Sequence, residues 1–165
     1  MTAPFTACPP PPATEVPVTP PAPDALTYSL TLPAGPQSPA IARAATRMIL
    51  RAHALDDVTD AALQVVSELA ACACRFTSTA EVYVSLRYRD GALRVVLYDG
   101  HRRHTHPRLA AACESRRRAA LRLLSCVVKS CHGDWGFGDA REPGGGTRMW
   151  AVLPREGARS YHAGA

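Results

Sequence analysis

The chain has 165 residues and no asparagine, and its single lysine, Lys129, stands among 19 Lys+Arg. Losing Asn removes the short carboxamide that serves as a hard oxygen ligand for magnesium. Aromatic residues make up only 6%, which excludes the stacking platform of a single-strand nucleic-acid binder, and neither a helix-turn-helix nor a zinc-finger signature is present, so nucleic acid is not the expected partner. No run approaches the ~20 apolar residues of a membrane span, so no membrane partner is expected. Met1 to Cys8 has neither a basic nor an apolar segment of a secretory signal, and the expectation is a cytoplasmic protein. Before residue 40 the only charges are Glu15 and Asp24. With 19 basic and 12 acidic residues beyond that point, the remainder carries +7.

Proline is concentrated where charge is absent: 12 of the 15 prolines precede residue 40. Residues 1–24 therefore read as a disordered, extended tail, 25–155 as one folded domain, and 156–165 as a flexible C-terminal tail. Six cysteines are present. Most sit among Ala, Leu and Val rather than at turn-bounded spacings, which favours reduced, buried thiols over a disulfide framework.

Leu26, Tyr28, Leu30 and Leu32 alternate with polar residues as in a half-buried strand. Ser38-Pro39 is an N-cap signal followed by proline at the first helical position, and Ile41, Ala45, Met48, Ile49 and Ala52 form a helical stripe. Asp56 and Asp57 open a second helix expected to run to about Phe76. Val82, Val84 and Leu86, then Leu93, Val95 and Leu97, flank Asp90-Gly91, the signature of a type I′ hairpin. Residues 100–118 lose periodicity and collect His101, His104, His106 and many arginines, which predicts a mobile basic connection. A late helix is expected over Ala119–Ser130, then strands at 135–141 and 147–153 joined by Gly144-Gly145-Gly146.

This order, together with Val65-Val66-Ser67-Glu68-Leu69, the strand ending at Asp99-Gly100, Leu121-Arg122-Leu123-Leu124 and the closing Gly145-Gly146-Thr147-Arg148-Met149-Trp150, resembles the GHKL or histidine kinase-like ATPases. Within them it is most similar to the bacterial anti-sigma-factor serine/threonine kinases. The resemblance implies an α+β fold of Bergerat type: a two-layer sandwich whose mostly antiparallel sheet is covered by helices on one face. It also implies an ATP site. Glu68 matches the general base, and Cys72 stands where the family has the magnesium-binding Asn. Asp99 matches the acceptor for the adenine amino group, with Gly100 after it, and Thr147 matches a hydroxyl near adenine. Arg118 and Ala120 fall where the family places glycines around the phosphates.

A thiol is a poor magnesium ligand, and no Asn can replace it by a register shift. The resemblance therefore implies an ATP-binding regulatory protein with weakened or lost magnesium-dependent catalysis, acting on a partner such as a sigma factor or its antagonist. Whether two copies pair is left open. An active kinase using Glu68 as general base is the alternative. A third reading is a thiol or metal sensor, but the histidines have no regular spacing on one element and their arginine neighbours oppose a cation, so no metal ligand is assigned.

Overall fold

Alternating burial builds the sheet. In the structure, a computed structural model that describes residues 19–141 and 145–161, β1 (Thr27–Pro33), β2 (Glu81–Arg89), β3 (Ala92–Asp99), β4 (Asp134–Asp139) and β5 (Thr147–Pro154) form one open sheet in the order β1-β2-β3-β5-β4. Every neighbouring pair is antiparallel. Val82, Val84 and Leu86, then Leu93, Val95 and Leu97, then Met149, Ala151 and Leu153 are buried on one face, while Tyr83, Arg87 and Arg94 point out to solvent. Asp90 and Gly91 both take positive φ, 52° and 74°, as a type I′ turn requires. The fold is thus α+β with an antiparallel five-stranded sheet.

The buried face is covered by helices. The central one is α2 (Thr59–Phe76), which buries Val65, Val66, Leu69 and Ala73 against β3 and β5 and packs along α1 (Ser38–Ala52). Each fully buried Val or Leu stabilises by roughly 1.5–3 kcal/mol. Truncating the wholly buried Leu69 to Ala would cost about 2–5 kcal/mol because it sits in the middle of this stripe. Next come α3 (Pro107–Ala120), α4 (Arg122–Ser130) and α5 (Arg155–Arg159). No helix among the described residues is long and apolar enough to cross a membrane.

Four local expectations are corrected. Ser38 is the first residue of α1, after Gln37, and its hydroxyl donates back to the Pro33 carbonyl instead of capping the helix. Asp56–Val58 form a separate 3-10 turn before α2. Residues 107–118 are helical rather than a mobile connection; α3 buries Arg117 and no apolar side chain, so there was no hydrophobic period to detect. Finally, residues 156–159 of the expected flexible tail belong to α5, held by Arg155 and Arg159 on Asp57 at 2.8 and 3.0 Å and by buried Ala158. Of the leader, Pro23–Ala25 form a 3-10 turn, and His53 Nδ1 contacts the Ala22 carbonyl at 3.0 Å while its Nε2 meets the Tyr28 hydroxyl at 3.0 Å. Residues 1–18, Cys8 among them, residues 142–144, which include Gly144 of the expected turn, and residues 162–165 of the C-terminal tail lie outside the described residues.

Candidate functional site

Glu68, Cys72 and Phe76 follow one another at four-residue spacing on α2, the interval that aligns side chains on one helix face. Asp99 closes β3, directly paired with Thr147 at the start of β5. Between these elements lies the guanidinium of Arg117. Its Nη1 donates to Asp99 Oδ2 at 2.7 Å and approaches Met149 Sδ at 3.1 Å and Cys72 Sγ at 3.9 Å. The guanidinium carbon stands 4.5 Å from the centre of the Phe76 ring, a cation–π arrangement. Arg117 is 2% exposed and Asp99 4%, and Arg117 Nη2 has no hydrogen-bond partner among the described residues.

The other acceptor positions are also engaged. Asp99 Oδ1 accepts the His101 amide at 2.8 Å, the Gly100 amide donates to Thr77 Oγ1 at 3.1 Å, and the Thr147 hydroxyl donates to the His101 carbonyl at 2.9 Å. Burial pushes the Cys72 thiol up to about 11, the Arg117 charge opposing it only in part. It is a neutral thiol at physiological pH.

The structure thus brings Cys72, Asp99, Gly100 and Thr147 to one end of the sheet and separates the remaining expected residues from them. Glu68 is half-buried one turn before Cys72, and its carboxylate accepts a hydrogen bond from Gln64 at 3.2 Å. Arg118 is exposed, paired with Glu114 at 3.3 Å, with its guanidinium 5.3 Å from the centre of the Phe137 ring. Ala120 packs against the core at the end of α3. Sequence reasoning missed Arg117, Phe76 and Met149. Cys113, Arg117 and Leu121 are spaced by four, but with an arginine at the centre that spacing gives no hydrophobic period, and Leu121 lies at the break between α3 and α4.

ATP is implied by the resemblance and can be tested against these residues. An adenine amino group would need the Asp99 carboxylate, whose Oδ2 is taken by Arg117 and Oδ1 by the His101 amide. The Arg117 side chain itself fills the space between Asp99, Phe76 and Met149. A neutral, buried thiol at Cys72 offers magnesium no hard oxygen. In this arrangement the residues present do not fit the nucleotide in the family's manner.

A cavity of about 280 Å³ opens beside the Arg117–Asp99 pair, with His101, His104, Cys113, Glu114, Asp139 and Thr147 in its wall. Cys113 Sγ lies 3.1 Å from His101 Nε2. His106 caps α3 with its backbone and is exposed. No family model and no curated protein matches this chain.

Proposed function

We propose that the chain is a regulatory protein with a Bergerat-type fold, of the anti-sigma-factor kinase type. It works by binding a regulatory protein partner, with ATP-dependent transfer weakened or lost. The observation that carries this reading is the Arg117 guanidinium on Asp99. A buried carboxylate already neutralised by an internal cation, in a space already filled by that cation's side chain, has little left to give an adenine ring. The substitution of Cys72 for a magnesium-binding carboxamide supports the same reading independently.

Calorimetric titration of the full chain with ATP, with and without magnesium, tests the proposal. The expected result is no binding at millimolar nucleotide in either condition. Magnesium-dependent binding at micromolar ATP, accompanied by phosphate transfer to a serine of a protein partner, would overturn it in favour of an active kinase with Glu68 as the base. In Arg117→Ala the ion pair is removed and the space vacated, so any residual nucleotide affinity should rise there first.

A further inference from the structure

We propose that His101, His104 and Cys113 form a zinc site. One nitrogen from each imidazole and the Cys113 sulfur lie within 4.8 Å of one another. Two imidazoles and a thiolate are a borderline-soft donor set that suits Zn²⁺ and is unsuited to magnesium or calcium. The three residues follow the spacing His-x2-His-x8-Cys, so the loop after β3 supplies both imidazoles and the second turn of α3 supplies the thiolate.

Two features prepare this cluster for a metal. The first is backbone placement. His101 is fixed on both sides, its amide bonded to Asp99 Oδ1 and its carbonyl to the Thr147 hydroxyl, while Cys113 is carried on a helix tied down by Arg117. The ring of His101 is also wedged between Phe76 and His104, with centroids 6.2 and 5.1 Å away. The second is charge. Three of the arginines around the cluster, which on sequence grounds oppose a cation, are paired with a carboxylate: Arg103 with Asp139 at 3.4 Å, Arg117 with Asp99 at 2.7 Å and Arg118 with Glu114 at 3.3 Å. These three pairings reduce the positive field at the cluster.

A tetrahedral zinc with bonds of about 2.0–2.3 Å holds its ligand atoms roughly 3.3–3.6 Å apart. The cluster needs a contraction on the order of 1 Å, which torsion of the exposed His104 side chain can supply. Binding requires the thiolate, so the Cys113 proton passes to solvent as the zinc–sulfur bond forms, and affinity falls as pH falls. The three protein ligands leave the fourth position facing the cavity, whose wall also holds Glu114 and Asp139. Such a metal would join the loop to α3 across the mouth of the Arg117 pocket. These ligands are not the residues on which the nucleotide reading rests, so the two proposals fail separately.

The test uses the full chain, exhaustively reduced and stripped with a chelator, then titrated with Zn²⁺ and, as a spectroscopic probe, Co²⁺. One metal per chain is expected, with a thiolate-to-cobalt charge-transfer band in the near ultraviolet. Cys113→Ser should abolish that band, and His104→Ala, at an exposed position that leaves the fold intact, should weaken zinc binding at least about tenfold. Cys126→Ser, at an exposed thiol remote from the cavity, should change neither. The proposal is overturned if no metal binds at micromolar concentration, if the cobalt spectrum lacks thiolate character, or if both Cys113→Ser and His104→Ala bind as the wild type does.

Discussion

Arg117 and Asp99 face each other at 2.7 Å, one on a helix and the other at a strand end, with both side chains closed off from water. Removing a single partner strands a charge in the interior, whereas removing both does not. Arg117→Met and Asp99→Asn should each destabilise the protein by about 3–5 kcal/mol, and the double variant should lose far less than their sum. Urea denaturation of the four proteins in this cycle measures the coupling. Additive losses would mean that the two side chains do not depend on each other.

The thiols should separate by environment. Cys126 is exposed, while Cys72 and Cys131 are buried and burial raises both. In the folded protein at mild alkaline pH, a thiol reagent should modify Cys126 well before Cys72 and reach Cys72 only on unfolding. Mass mapping of the labelled peptides decides this. Early labelling of Cys72 would count against its burial beneath Arg117.

Cys72 also sets a sign for alkaline stability. Its folded value is about 11 against an ordinary 9.0, so between these values the folded state keeps a proton that the unfolded chain has lost. The stability associated with this thiol is complete below pH 9 and declines as pH rises towards 11. The melting temperature should fall less steeply over that range in Cys72→Ala than in the wild type, and parallel curves would refute the assignment.

On the acid side the relevant group is Asp57. Burial pulls its carboxyl upward, but hydrogen bonds and charge from Arg155 and Arg159 outweigh this and hold it below 3.8. The associated stability is present above that value and lost as pH falls through the lowered one. Because these side chains are partly solvated, Arg155→Ala should cost only about 1 kcal/mol and the more exposed Arg159→Ala less. Both should hasten hydrogen exchange in α5, and unchanged exchange in both would mean that the pairs do not hold that helix.

Gly157 lets α5 lie against the chain after α4. A methyl group there would collide with the carbonyl of Cys131, a backbone atom that cannot swing away. Gly157→Ala should therefore destabilise by about 1–3 kcal/mol, despite the better helix propensity of alanine. A chemical-denaturation midpoint equal to that of the wild type would show that α5 moves away at no cost.

How far the sequence discloses the structure depends on the kind of side chain doing the anchoring. The strands and α2 could be read directly because Val82-Val84-Leu86, Leu93-Val95-Leu97 and Val65-Val66-Leu69 repeat with the periods of their elements. The α3 helix could not, since its buried residue is an arginine and its one large apolar side chain, Leu109, is exposed. The same gap concealed the site. Asp99, Cys72 and Thr147 were identifiable as candidates one at a time, but Arg117, which joins Asp99 to Cys72, lay in a stretch read as a loop. Cys113 was overlooked as a neighbour of His101 and His104 for the same reason: only a helix brings position 113 back over position 101.

An α3 fastened by a guanidinium rather than by an apolar stripe has a distinct thermodynamic character. Lifting it would expose little nonpolar surface and would instead rehydrate two ions, so the opening would carry little of the positive heat-capacity change that accompanies ordinary unfolding. Its equilibrium would respond weakly to temperature through that quantity and strongly to any anion able to take Arg117 from Asp99. The segment is built to answer to charge.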